Sequence, residues 1–239
     1  MDLKRFERHL IIEQIGEQGQ KRIKKSSCLV IGAGGLGSSA IIHLVANGIG
    51  KIGIIDFDVV DITNLHRQII HCTDDIGKEK VISAYEKVKK INPDVEVEIY
   101  NLKLDEKNGL EIIEKYNFVI EATDNLSSKL LINDLCVKAK VPFSHAGINK
   151  FFGTMITVIP GKSACLRCVF KNIKPSEREI FGVFGPTPGV VGTIQAAEAL
   201  KYLGGFGELL TDKILFIDLY YMDFRTVNVT ISEDCQCQN

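Results

Sequence analysis

The stretch from Cys28 to Gln68 limits what this chain can fold into more than any other. It opens as a short apolar run, Cys28-Leu29-Val30-Ile31. That run passes directly into Gly32-Ala33-Gly34-Gly35-Leu36-Gly37 and then into a helical repeat that fades at Asn47 and Gly48. A strand, a G-x-G-x-x-G turn and a helix in this order form the opening of a βαβ unit, which a bare glycine pattern does not. Glycines allow the tight turn and a close backbone approach. The first helical turn offers unpaired N–H groups and a positive dipole end to a phosphate. Gly32, Gly34, Gly35 and Gly37 are therefore candidate nucleotide contacts. A second apolar run, Ile52 to Ile55, ends at Asp56, with Asp58 two residues on, placing a carboxylate at a strand tip where a ribose could receive it.

The continuation departs from a dinucleotide dehydrogenase, which would enter its next helix here. The chain instead gives Val59-Val60-Asp61-Ile62-Thr63-Asn64-Leu65-His66-Arg67-Gln68, a polar loop whose amides and guanidinium suit phosphate oxygens. Gly77-Lys78-Glu79-Lys80 opens a helix that Asn92-Pro93 stops. A lysine in a first turn opposes the helix dipole, so Lys80 there has either an anion nearby or no particular reason; taken alone it reads as a surface residue. Farther on, Phe118 to Glu121 reads as a buried strand followed by Ala122-Thr123-Asp124-Asn125 and a helix from about Leu126 to Ala139. Asp124 is a natural N-cap for that helix. It would also stand at the carboxyl edge of a parallel sheet, where ligands bind and where a carboxylate can carry Mg²⁺.

The series GAGGLG, DFDVVDITNLHRQ and Thr123-Asp124-Asn125 resembles the ThiF, MoeB and HesA family, ATP-dependent activating enzymes of ubiquitin-like sulfur carriers. The similarity runs from Arg5 to Cys237. It implies an α/β fold: a Rossmann-like, doubly wound, mainly parallel sheet with antiparallel strands added toward the C-terminus and a zinc-stapled tail. It also implies adenylation, by ATP, of the C-terminal Gly-Gly carboxylate of a carrier protein, with Asp124 holding Mg²⁺. Arg67 and Lys80 would meet the phosphates, Asn64 and Gln68 would orient the nucleotide, Asp56 would lie at the ribose, and Asp58 and Asn125 would also contact the nucleotide. Arg-Phe-Glu-Arg-His-Leu-Ile-Ile at residues 5 to 12 resembles the family's N-terminal arm, in which an arginine matching Arg8 reaches the ATP of a partner subunit. A homodimer follows from that match.

Phe6, Leu10, Ile11 and Ile15 recur at helical spacing, which predicts one amphipathic helix from Arg5 to Ile15 with Gly16 as its stop. Further strands are expected near Val95–Tyr100, Pro142–Gly147, Gly153–Ile159, Ile214–Asp218 and Thr226–Ile231. No linker, repeat or low-complexity tract interrupts the pattern. A single adenylating domain over 1–239 is the simplest organisation, with a helical arm at 1–25 and a nucleotide-binding part at 26–160.

Cys165-Leu-Arg-Cys168 and Cys235-Gln-Cys237 are two close cysteine pairs. Such pairs read as a tetrahedral, structural Zn²⁺ site, with a redox pair or no metal as alternatives. The second pair, C-x-C, departs from the family's C-x-x-C. Cys28 and Cys136 read as small buried hydrophobes. The stretch from Val169 to Gly185 has no cysteine, with Arg178 or a neighbour in Ser176–Glu179 where relatives forming a covalent carrier link place one. The resemblance then implies a reaction ending at the acyl adenylate, with another protein supplying sulfur or amine.

A formal net charge of -1 gives no bias toward nucleic acid or anionic membrane. The start Met-Asp-Leu-Lys is not a secretory signal and no apolar run reaches membrane-span length, so a cytoplasmic enzyme is expected. Two rival readings stay open. A nicotinamide oxidoreductase shares the glycine fingerprint and Asp56 but gives Asn64, Arg67, Lys80 and the cysteine pairs no role. A non-catalytic carrier-binding scaffold would keep the fold alone.

Overall fold

The computed structural model describes residues 4–171, 182–233 and 235. Its frame is one eight-stranded sheet in the order β3-β2-β1-β4-β5-β6-β7-β8. The parallel part comprises β1 (Ser27–Ile31), β2 (Lys51–Ile55), β3 (Glu96–Tyr100), β4 (Phe118–Glu121) and β5 (Phe143–Asn149). Antiparallel strands β6 (Phe152–Val158), β7 (Lys213–Asp218) and β8 (Asp223–Asn228) extend it beyond β5. The expected doubly wound sheet with an antiparallel extension is thus observed.

Why β1 is uniformly apolar follows from its neighbours. Cys28 and Val30 face a core built with α3 (Gly35–Ala46), α4 (Lys80–Ile91) and α7 (Pro186–Gly204). Leu29 and Ile31 face a second core built with α5 (Gly109–Ile113) and α6 (Leu126–Ala139). A strand covered on both faces has no solvent side and so no polar alternation. Cys28 and Cys136 are fully buried, and burial raises both thiols' pKa values, which keeps them neutral.

The chain order reverses between β1 and β4, so the turns leaving these two strands diverge at the carboxyl edge and leave a crevice there. Two glycines allow the close backbone approaches there. A Cβ on Gly32, whose φ is +104°, would stand 2.6 Å from the Ala122 carbonyl oxygen, and one on Gly37 would stand 1.8 Å from the Gly32 oxygen. Gly37 thereby lets the first turn of α3 rest on the glycine loop itself.

The N-terminal arm differs from the single helix that the periodicity predicts. A 3₁₀ turn (Lys4–Phe6) leads into a four-residue α1 (Glu7–Leu10), and Gly16 begins a new helix, α2 (Gly16–Lys25), instead of ending one. Its φ of +53° permits the change of direction, and Ile11 and Ile12 are left exposed. Phe6 packs against Gly48, in the turn before β2, so the arm lies at the amino edge of the sheet. Among the described residues no helix is long and apolar enough to cross a membrane.

Gly37→Ala is expected to lower the melting temperature by more than about 10 °C, because the clash is with backbone and cannot be relieved by a rotamer change. Gly34→Ala, whose new Cβ would meet nothing nearer than Gln68 Nε2 at 3.8 Å, should melt within a few degrees of wild type. Thermal denaturation of the two variants checks the contrast.

Candidate active site

At the carboxyl edge the glycine loop is held from both sides through Ala33. Asp56 Oδ2 accepts the Ala33 N–H at 2.7 Å, and Oδ1 accepts the Asp58 N–H at 2.9 Å. Each carboxylate oxygen keeps a further lone pair, so bracing the loop is compatible with a ribose contact. The Ala33 carbonyl lies 3.1 Å from His71 Nε2, while His71 Nδ1 lies 2.7 Å from the Ser83 hydroxyl. Burial lowers the His71 pKa, so the ring is neutral: Nε2 donates to the carbonyl and Nδ1 accepts from Ser83. Sequence reasoning gave His71 no role, and nothing local in the sequence marks it.

Gln68 is 5% exposed, and its Oε1 has no hydrogen-bond partner. Its amide faces the open side of Gly34, the one glycine of the four whose Cβ would meet free space there. Gly32 and Gly37 serve packing, and a Cβ on Gly35 would come within 2.9 Å of Pro188. Asn64 carries the turn that presents these groups, its carbonyl accepting the N–H groups of Arg67 and Gln68 at 3.1 and 3.0 Å. Arg67 is half-exposed and donates to the Thr63 carbonyl at 3.0 Å.

Lys80 is 5% exposed, so reading it alone as a surface residue is corrected. Its ammonium lies 3.0 Å from Asp58 Oδ2, and Asp58 is the anion that offsets a cation at the start of α4. Asp124 is exposed at the turn between β4 and α6. The N-cap expected of it belongs instead to Asn125, whose Oδ1 accepts the Ser128 N–H at 2.9 Å. Asn125 Nδ2 also lies 3.3 Å from Asp124 Oδ1, so this residue braces the turn as well as flanking the crevice.

Arg8 is not brought to the crevice. It is exposed on α1 at the amino edge, where neighbouring Arg5 donates to the Ile91 carbonyl at the end of α4.

Beneath the Asp124 turn lies a cluster that the sequence reading missed. Glu121 is fully buried, with Lys129 Nζ 3.0 Å and His145 Nδ1 2.7 Å from its Oε2. Burial alone would raise the Glu121 carboxyl, but the Lys129 charge and the His145 hydrogen bond outweigh it and hold the group near 2. Burial lowers the His145 pKa and so favours its neutral form. The available signal was a charged residue closing an otherwise apolar strand, with a lysine eight residues later.

Of the four candidate metal ligands, Cys165, Cys168 and Cys235 are described and their sulfurs lie within 4.8 Å of one another. Cys237 and the 172–181 stretch, with Arg178, are outside the described residues. The Cys165 and Cys235 sulfurs are 3.4 Å apart. That is too long for a disulfide bond of about 2.05 Å. It is close to the ~3.8 Å sulfur–sulfur edge of a tetrahedron with 2.3 Å Zn–S bonds. The donor set therefore fits zinc.

A glycine loop at the switch point, with an acidic strand tip and a polar turn beside it, places the chain in the class of doubly wound α/β folds of the nucleotide-binding type. It matches the ThiF family over residues 6–239 and belongs to that family. It is 40% identical over 237 residues to the SAMP-activating enzyme E1 of Haloferax volcanii, covering 98% of this chain and 87% of that one. It is also 38% identical over 244 residues to the sulfur carrier protein adenylyltransferase of Thermus thermophilus, covering 98% and 90%. Among solved structures, E. coli MccB with MccA-N7isoASN superposes with a TM-score of 0.84 at 26% identity, over 93% of this chain and 69% of that one.

The low Glu121 pKa sets a pH dependence. A carboxyl held lower in the folded than in the unfolded chain stabilises fully above the unfolded value, roughly 4.3, and loses that contribution as pH falls toward the folded one. Melting temperatures should therefore fall between about pH 5 and pH 2 in wild type. Glu121→Gln, although less stable at pH 7, should lose less on acidification. An equally steep acid limb in the variant would count against a charged Glu121.

Proposed function

We propose that this chain is an adenylyltransferase that activates the C-terminal Gly-Gly carboxylate of a small ubiquitin-like sulfur-carrier protein with ATP. The observation that carries the reading is the gathering of the glycine loop, Gln68, Lys80 and Asp124 at one edge of the sheet. Two relatives 38–40% identical over nearly the whole chain, named for activating such carriers, support it.

In the proposed reaction a carboxylate oxygen of the carrier attacks the α-phosphorus of ATP. The bond to the bridging oxygen breaks, and its electron pair leaves with pyrophosphate. The product is a mixed anhydride of the carrier and AMP. The nucleophile is already ionised at neutral pH, so no general base is needed, in keeping with the buried, hydrogen-bonded state of His71 and His145. The protein's contribution is positioning and charge stabilisation.

The residues divide accordingly. The backbone of the glycine loop, above all at Gly34, admits the phosphates, and Gln68, Asn64, Arg67 and Lys80 supply donors and charge around them. Asp56 is suited to the ribose. Asp124, an exposed carboxylate at the crevice, would hold Mg²⁺, whose chemistry there is to neutralise charge on the leaving phosphates. Arg8 would serve the site of a second copy of the chain in a homodimer. Cys165, Cys168, Cys235 and Cys237 would bind one structural Zn²⁺. Four thiolates leave no open coordination position, so that zinc would take no part in the reaction.

The test is ATP–pyrophosphate exchange with Mg²⁺ in the presence of β-grasp carrier proteins ending in Gly-Gly. Exchange should appear with at least one carrier, and Asp124→Ala should reduce it by about a hundredfold or more. Near-normal exchange in Asp124→Ala would remove that residue from the mechanism. Purified protein should also carry one zinc per chain by elemental analysis, and Cys165→Ser should lower both zinc content and melting temperature.

A further inference from the structure

We infer that Lys129, acting with Glu121, is a positioning residue for Asp124: the buried pair grips Thr123 by all three of its polar atoms and so fixes where the next residue's carboxylate stands. The inference deepens the adenylation reading and rests on it for the role of Asp124.

Only residues 122–125 separate the end of β4 from the start of α6. Asn125 is fixed as the cap and Ala122 by its N–H, which donates to the Ile31 carbonyl at 2.9 Å. Thr123 is fixed from below. Its N–H and its hydroxyl both donate to Glu121 Oε1, at 2.7 and 2.5 Å, and its carbonyl accepts from Lys129 Nζ at 2.7 Å. The Asp124 turn therefore hangs on a residue with no polar atom left to move.

The donors and acceptors beneath it are matched in number. An ammonium has three N–H bonds. Those of Lys129 have Glu121 Oε2 at 3.0 Å, the Thr123 carbonyl, and the Ala146 carbonyl of β5 at 2.7 Å. A carboxylate has about four lone-pair sites. Those of Glu121 take the two Thr123 donors, Lys129 and His145. The His145 ring is closed off by Phe170, edge-on at 5.8 Å between centroids. The polar atoms of Glu121 and Lys129 are thus taken up by protein groups, and the exposed residue next to the one they hold is Asp124.

Stability alone does not require that such a pair be ionic. Exchanging a buried ion pair for well-packed apolar groups is often neutral or stabilising, so the pair's distinctive property is the geometry it imposes.

The test compares wild type with Lys129→Met and Thr123→Val in ATP–pyrophosphate exchange, and measures amide hydrogen exchange at Thr123 and Asp124. Lys129→Met should lower kcat by about tenfold or more, while KM for ATP stays within about twofold, as expected when reacting groups are misplaced and binding is kept. The Mg²⁺ concentration for half-maximal rate should rise. Amide exchange at the turn should accelerate while the interior of α6 keeps its protection. Thr123→Val, which removes one hydroxyl and keeps the shape, should show the same pattern more weakly. Should Lys129→Met not fold, the Glu121→Gln/Lys129→Met double variant buries no charge and takes its place. Folded variants with wild-type kcat and Mg²⁺ dependence, or with unchanged exchange at the turn, would overturn the clamp. A wild type inactive with every carrier would count against the adenylation reading, and the hydrogen-exchange comparison would still decide whether the pair holds the turn.

Discussion

Everything at the carboxyl edge depends on how closely two backbone turns approach at the switch point. The Gly32 backbone lies against the Ala122 carbonyl, and the first turn of α3 lies on the Gly32 oxygen through Gly37. A side chain at Gly32 would push the β1 and β4 turns apart, and one at Gly37 would push α3 off the glycine loop. With them in contact, the helix N-terminus, the glycine loop and the Asp124 turn share one crevice. The dipole of α3 and the carboxylate of Asp124 then act on the same volume, which neither strand could arrange alone.

Polar groups near that crevice fall into two kinds. His71, Glu121, Lys129 and His145 are buried with partners that largely fill their capacity, and each of them except His145 hydrogen-bonds backbone directly: Ala33 for the first, Thr123 for the next two. Asp124 is exposed and Arg67 half-exposed, so solvent reaches both. The division has a physical origin. A buried charge must be matched in place or it destabilises the fold, and groups so matched hold geometry. Groups that exchange partners during a reaction need access to water. Lys80 stands between the two kinds, buried along its stem with its ammonium on the exposed Asp58 carboxylate.

What could be read in the sequence follows the same division. The βαβ opening, Asp56 at its strand tip and the polar turn at Asn64–Gln68 are contiguous stretches with their own period and composition, and the structure places them together. The buried cluster joins Glu121, Lys129 and His145 across β4, α6 and β5, and no local pattern encodes which strand lies beside which. Lys80 alone reads as solvated because helix position predicts exposure only when the neighbouring loop is known, and that loop supplies Asp58. Gly16 reads as a stop because the same left-handed backbone that ends one helix can begin another at a new angle. Asp124 and Asn125 are both good caps by type, and only the backbone decides between them. The crevice residues were thus legible largely through motifs, and the residues that hold them were not.

Arg8 stands apart from the crevice of its own chain. The arm is anchored at the amino edge by Phe6 against Gly48 and by Arg5 on Ile91, while the crevice lies at the carboxyl edge. The strands between are five residues long in β1 and β2, which at about 3.3 Å per residue separates the edges by roughly 17 Å. A fully extended arginine spans less than half of that. The guanidinium of Arg8 cannot meet phosphates bound by its own chain while the arm stays anchored. A role for it in the reaction therefore requires a second copy whose crevice faces this arm, with Ile11 and Ile12 exposed beside it as the apolar surface available to such a contact.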